Sequence, residues 1–364
     1  MNKISFVLPN LRGGGAERIC VDLARIFAEL GHSVEFVLMS ATGELIPEVQ
    51  TKFKLVNLNA LKTRNVPIAL ARYLKEHKPD ALIAHMWPLT TAAVIGRALS
   101  NQRCKLLLVE HCMLSIQYET WGILNYLMLR STLTFNSRYA DVIAAVSEGA
   151  ANDLAALVRL PAEKIKVLHN PIPQRPMPNT EARERAIEWW GKSSGERILN
   201  VGSFKDQKDH PLLLRAFALL ARPDAKLMLL GHGENEKMLR SLSVELGIAN
   251  RVIFPGFYPD PSPFYATADL FVLSSVYEGL PTVLIEALSF GLPIVSTDCP
   301  SGPAEILENG RFGRLVPVGD AQALAQSIDE ALSAPLERAE LMRRSLDFAP
   351  EIAARKYLNL LDMA

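Results

Sequence analysis

The sequence predicts an α/β protein of two parallel-sheet units, and three observations carry that prediction. Short β-rich runs alternate with amphipathic helical patterns along the first half of the chain. A proline-dense break follows, with Pro171, Pro173, Pro176 and Pro178 beside Asn170, Gln174 and Asn179. The strand–helix rhythm then restarts. Such alternation implies parallel sheets covered on both faces. Prolines this dense stop both helix and ladder, so residues 171–180 read as a linker. At ~100–200 residues per domain, the length of 364 residues also suggests two. The expected units are 1–170 and 181–349, followed by a helix over 350–364 with a return to the N-terminal unit among its destinations.

In order, residues 3–8 read as a buried strand and 9–15 as a loop. From 16 to 30, Ile19, Leu23, Ile26, Phe27 and Leu30 recur at helical spacing, opposite Arg18, Asp22, Arg25 and Glu29. Further strands are predicted at 33–39, 53–58, 81–84, 105–109 and 142–146, with helical stretches between. After the linker, 181–190 reads as helical. Strands follow at 197–201, 226–230, 251–254, 270–273, 293–296 and 314–316, with a helix at 211–220. In both halves the first strand feeds a loop and then a helix, a weak internal echo.

Charge and composition narrow the function. Lys plus Arg number 39 and Asp plus Glu 39, so 39 − 39 leaves no net charge and no bulk case for nucleic acid as partner. With 49% hydrophobic and 21% charged residues, the chain is not disordered, collagen-like or a coiled coil. Cys20, Cys104, Cys112 and Cys299 form no CxxC pair and read as reduced, buried small hydrophobes of a cytosolic protein. The uncharged runs 86–96 and 287–297 are far short of the ~20 residues a spanning helix needs. The N-terminal run 4–8 is broken by Pro9 and Arg12, which argues against a signal peptide. The expected location is the cytoplasm.

Two segments carry chemistry. The first is Gly13-Gly14-Gly15-Ala16-Glu17-Arg18, where glycines permit close approach of a ligand and a helix N-terminus offers free N–H groups. Arg18 breaks the dinucleotide pattern GxGxxG, and no Walker A pattern is present, so a plain tight turn stands beside the functional reading. The second is Glu278-Gly279-Leu280-Pro281-Thr282-Val283-Leu284-Ile285-Glu286, after the strand 270–273. Pro281 suits a first helical turn, which places Glu278 in a loop and Glu286 in the helix. The helix start favours a phosphate, and the two carboxylates suit hydroxyl-rich sugar and ribose. Surface solvation with a helix-start charge is the simpler alternative, but it leaves Gly279 unexplained.

Here the chain resembles the retaining glycosyltransferases of family 4, with the two-domain GT-B fold. The matching pieces are residues 14–17, His111 after a strand, Lys208, Gly231-His232-Gly233-Glu234, the glutamates 278 and 286, and Gly302-Pro303-Ala304-Glu305. The resemblance implies two Rossmann-like domains facing a central cleft, with a nucleotide sugar held mainly by the second. It implies that Glu286 accepts bonds from ribose hydroxyls, Glu278 faces the donor sugar and Lys208 neutralises the diphosphate. The backbone of Gly279, Leu280, Pro281 and Thr282 helps there, and Gly231 and Gly233 lie near the donor. Gly14 and Gly15 line the cleft, and His111 touches the donor sugar. Glu278, His111 and Lys208 are thus the expected catalytic residues. Such enzymes need no essential metal, and no two histidines here have helical ligand spacing. One residue departs from the family pattern: Ser203 follows Gly202, where the family usually carries Arg. Lys205 is near enough to substitute, though Lys cannot reproduce a bidentate fork.

His85 ends a strand and is a second cleft candidate, on the acceptor side. His32, His77, His169 and His210 read as surface or turn residues, and His232 divides evenly between donor site and turn. From 113 to 139 the chain is aromatic and apolar, with Tyr118, Trp121 and Phe135 and the cations Arg130 and Arg138. A buried helix is the leading reading. Trp121 and Tyr118 also suit a lipid-linked acceptor or a peripheral contact with the inner face of the membrane. Arg64, Arg72, Lys75 and Lys78 either add a basic face to that contact or belong to a plain solvated helix. The resulting expectation is a cytoplasmic enzyme moving a hexose or N-acetylhexosamine from a nucleotide sugar, UDP favoured, to a lipid-linked glycan in bacterial surface polysaccharide synthesis. Retention is expected jointly from the family and from Glu278 lying on the donor side. A nucleotide-sugar epimerase or a non-catalytic binding module of the same fold are the rivals; a dehydrogenase is disfavoured by the missing GxGxxG.

Overall fold

A computed structural model describes residues 1–12, 14–191 and 194–364. The chain forms two compact units, Met1–Pro173 with Ala349–Ala364, and Gln174–Phe348.

In the N-terminal unit seven parallel strands are β1 (Lys3–Leu8), β2 (Ser33–Leu38), β3 (Lys54–Asn57), β4 (Ala81–His85), β5 (Lys105–Glu110), β6 (Val142–Ala145) and β7 (Lys166–Val167), in the order β3-β2-β1-β4-β5-β6-β7. Phe6 of β1 sits level with Phe36 on one side and Ile83 on the other. Ile4, Phe6, Val7 and Leu8 are fully buried, as continuous apolar strands covered on both faces must be. The two-residue β7 was not anticipated, because Lys166-Val167 is too short to show a period. The helix Pro350–Leu360 packs on the helix Gly15–Glu29, where the Tyr357 ring lies 6.4 Å from Phe27.

In the second unit six parallel strands are β8 (Arg197–Val201), β9 (Lys226–Leu230), β10 (Val252–Gly256), β11 (Leu270–Leu273), β12 (Ile294–Thr297) and β13 (Arg314–Val316), in the order β10-β9-β8-β11-β12-β13. Leu213, Phe217, Leu227, Leu229, Leu270, Val272 and Val295 lie in one apolar cluster of this unit. Both sheets reverse their strand order once, at β1/β4 and at β8/β11. Open α/β sheets bind ligands outside the strand C-termini at such a reversal.

Three expectations are corrected. The helix Ile123–Tyr139 is not buried: Leu129 and Leu133 are covered, but Ile123 is 76% and Leu124 79% exposed, and Leu127, Met128, Phe135 and Tyr139 are exposed as well. Its apolar residues encircle the helix, so only one stripe of them can face the sheet. His210 is buried, not on the surface, and its Nε2 lies 3.1 Å from Asn200 Oδ1. Cys112 is half-buried, whereas the other three thiols are buried; all four are free.

Candidate functional site

The six-stranded sheet brings most of the expected donor residues to one edge. Lys208 closes a short turn, Asp206–Lys208, in the loop after β8. That loop is laced to the one after β11: Val276 donates its N–H to Gln207 at 2.9 Å, and Ser274 Oγ donates to the Lys208 carbonyl at 2.8 Å. The lacing sets Lys208 Nζ 2.6 Å from Glu278 Oε1, and Ser275 Oγ donates to the same oxygen at 2.6 Å. Glu278 is buried, so the surface reading does not apply to it. A buried carboxylate is tolerable only when paired and hydrogen-bonded, as here. Lys208 Nζ has three N–H donors, so it can keep Glu278 and still meet a phosphate oxygen.

Gly279, Leu280 and Pro281 are buried between that pair and the helix Thr282–Ser289; Thr282 is half-buried. The Gly302 of the Gly-Pro-Ala-Glu segment explains how the turn is held. At φ +94° a Cβ there would lie 2.4 Å from Pro281 Cδ and 3.0 Å from the Gly279 carbonyl, so a side chain is excluded. Ser301 Oγ donates to that carbonyl at 2.7 Å. Gly231 and Gly233 serve a similar purpose: Cβ atoms there would strike the Gly202 carbonyl at 2.0 Å and the Phe204 carbonyl at 2.5 Å. Both glycines therefore let the loops after β8 and β9 touch. Ser203 and Lys205 are exposed on the first of these loops.

Glu286 lies one turn into the helix and is half-buried. Tyr265 donates its hydroxyl to Glu286 Oε2 at 3.0 Å, and Arg175 Nη2 lies 3.8 Å from Oε1. Burial pushes the Glu286 carboxyl above the usual carboxylate range, and Arg175 opposes that shift. Arg175 also donates to Asp260 Oδ1 at 2.8 Å. Sequence reasoning missed Ser275, Tyr265 and Arg175. Ser275 had a signal, since it follows a strand and precedes Glu278 by three residues. Arg175 lay in the proline-rich linker and Tyr265 in a short apolar helix, where nothing local marks a partner of Glu286.

At the edge of the seven-stranded sheet, Gly14 caps the helix Gly15–Glu29 without a side chain, and a Cβ on Gly15 would meet none of the described residues within 4 Å. Packing among the described residues thus gives no reason for glycine at 15. Gly13 lies outside the described residues. His85 ends β4 and His111 follows β5, with His85 Nδ1 2.8 Å from His111 Nε2. His85 is fully buried against Phe6, so its ring cannot touch an acceptor as expected; it touches His111 instead. Burial drives His85 well below the usual imidazole range and His111 down to about 4. Glu110, beside them, accepts from the Trp87 N–H and Thr90 Oγ1 at 2.9 Å each, and burial pushes it up to about 7. Trp121 and Tyr118 stack edge-on, 4.4 Å apart, next to Trp87. Among the described residues, no three His, Cys, Asp or Glu side chains are grouped to hold a metal.

Comparison with known proteins follows this division. Residues 183–346 match the family model described as Glycosyl transferases group 1, and residues 13–174 match Glycosyltransferase Family 4. A Campylobacter jejuni protein named N-acetylgalactosamine-N,N'-diacetylbacillosaminyl-diphospho-undecaprenol 4-alpha-N-acetylgalactosaminyltransferase is 28% identical over 91% of this chain and 90% of its own. The Rhizobium meliloti lipopolysaccharide core biosynthesis glycosyltransferase LpsE is 35% identical over 45% of this chain and 49% of its own. The crystal structure of Anabaena HepE in complex with UDP shares the fold, with a TM-score of 0.85 over 100% of both chains at 19% identity. With its two matched halves and its two parallel-sheet units of the GT-B class, the chain belongs to the glycosyltransferases, among relatives named for lipopolysaccharide and lipid-linked glycan synthesis.

Proposed function

We propose that this protein transfers a hexose or N-acetylhexosamine from a UDP-sugar to a lipid-linked glycan during bacterial surface polysaccharide synthesis, with retention of anomeric configuration. The observation that carries the reading is the group Lys208, Glu278, Ser275 and Glu286 around a helix start at the strand reversal β8/β11. Glu286 would hold the ribose hydroxyls, and the helix start and Lys208 the diphosphate. As the bond from the anomeric carbon to the phosphate oxygen breaks, charge grows on the departing UDP. A fixed cation stabilises that charge more in the transition state than in the ground state. In front-side attack the acceptor oxygen bonds to the same face of that carbon, and its proton passes to the departing phosphate oxygen. Glu278, buried against Lys208, would face the oxocarbenium-like sugar. Ser203 offers no cation, so Lys208 would carry the phosphate charge, with Lys205 of the same loop as an auxiliary.

The names of the relatives support the acceptor class, and the exposed apolar residues of the helix Ile123–Tyr139 support contact with the bilayer carrying it. Among the described residues no helix is long and apolar enough to cross a membrane, so this contact would be interfacial. The test is transfer from UDP-sugars to an undecaprenyl diphosphate-linked acceptor, followed by NMR of the new linkage. An α-linked donor should give an α-linked product. A β-linked product would overturn retention, and no transfer from any nucleotide sugar would overturn the reading.

A further inference from the structure

The histidine pair at the edge of the seven-stranded sheet has an ordering that its surroundings settle. His85 Nδ1 and His111 Nε2 lie 2.8 Å apart, so one proton is shared between them. Both rings are neutral, since burial disfavours the imidazolium of each. Two arrangements remain. In one, His111 donates through Nε2–H, and His85 must then carry its own proton on Nε2. That atom is buried and has no hydrogen-bond partner among the described residues. In the other, His85 donates through Nδ1–H and leaves only a bare lone pair at its buried Nε2. An orphaned buried N–H is rarer than an acceptor short of a partner, because native structures almost always satisfy buried donors. The second arrangement therefore wins, and it fixes the proton of His111 on Nδ1.

We infer that His85 is a positioning residue that holds His111 in the Nδ1–H tautomer, so that His111 meets its ligand as a hydrogen-bond donor and not as a base. The lone pair of His111 is spent on His85, and its remaining nitrogen carries a proton. Such a ring can donate to a sugar hydroxyl or an acetamido carbonyl, but it has no site to accept a proton from an incoming hydroxyl. The ligand half of this statement rests on the reading of His111 as a sugar contact. It removes His111 as the general base that an inverting transfer would require. Stacking against Phe6, with ring centroids 5.9 Å apart, holds the His85 ring in register for this task.

The test is a long-range ¹⁵N–¹H spectrum of the full chain with labelled histidines, between pH 6 and pH 8 and without substrate. The expected result is Nδ1–H at His111 throughout. In His85→Phe, which keeps a ring of similar shape and loses the donor, His111 should shift toward the Nε2–H form. In His85→Asn, whose amide nitrogen stands near the lost Nδ1, the Nδ1–H form should return. An Nε2–H at His111 in the unmodified protein, or an unchanged Nδ1–H in folded His85→Phe, overturns the proposal. Kinetics give a second readout: His85→Phe should lower kcat/KM for the nucleotide sugar by roughly two- to tenfold, the worth of one neutral hydrogen bond, with recovery in His85→Asn. Because the spectrum needs no turnover, a correct tautomer with no transfer would sink the proposed function alone.

Discussion

The two sheet edges handle titratable groups in opposite ways. The edge of the six-stranded sheet sets its titratable groups against opposite charges: Lys208 against Glu278, and Arg175 against Asp260 and against Glu286, whose burial-driven rise it opposes. The edge of the seven-stranded sheet buries its groups and neutralises them: His85 and His111 fall below their ordinary range, and Glu110 rises to about 7. Under the proposed function the difference matches what each edge would meet: a diphosphate calls for fixed charge, whereas an uncharged sugar calls for neutral donors and acceptors that do not compete for protons. Two related sheets thus present different chemistry through the residues that follow their strands.

The strongest way to break the comparison is at Lys208. Lys208→Met should lower kcat by about 10²–10³-fold, the effect of removing one transition-state stabiliser. It also strands Glu278, and leaving one partner of a buried pair alone costs roughly 3–5 kcal/mol. The double variant Lys208→Met with Glu278→Gln should recover much of the thermal stability and none of the turnover. Recovered turnover in the double variant would show that the pair is structural only.

A smaller effect sharpens the other side. The Glu110 carboxyl is held at about 7 in the fold against an ordinary 4.5, so the stability it contributes is fully present below pH 4.5 and is lost as pH rises through 7. His111 acts in the opposite sense: its folded value of about 4 lies below 6.5, so its contribution is present above pH 6.5 and is lost as pH falls toward 4. Glu110→Gln keeps an acceptor for the Trp87 N–H, offers its amide N–H to Thr90 Oγ1 as an acceptor, and removes the titrating proton. Its melting temperature relative to the unmodified protein should therefore be higher at pH 8 than at pH 5. An equal difference at both pH values would mean that Glu110 is not held neutral.

Much of this was legible in the sequence, and the rest had physical reasons to be hidden. Strands such as 3–8, 197–201 and 270–273 were read at their observed bounds, because buried parallel strands are short, apolar and flanked by turn residues. The loop and helix around Glu278 and Glu286 were legible because Pro281 marks a helix start. The helix Ile123–Tyr139 was misread, since its apolar residues surround the axis and leave no polar face to point at solvent. His210 was misread because its partner Asn200 lies on β8, beyond any local pattern. The partners of Glu278 and Glu286 were hidden for the same reason: Lys208 and Arg175 reach them across the fold. The pairing of His85 with His111 needed the adjacency of β4 and β5, which strand order supplies and residue spacing does not.

The most direct measurement of the central claim, that the paired charges of the six-stranded edge hold the nucleotide, is calorimetric titration of the full chain with UDP. The unmodified protein should bind UDP. Glu286→Gln should bind about tenfold more weakly or worse, because a charge-assisted bond to ribose is lost. His111→Ala should stay within about twofold, because UDP lacks the donor sugar that it would touch. Unchanged affinity in folded Glu286→Gln, or an equal loss in His111→Ala, would contradict the account.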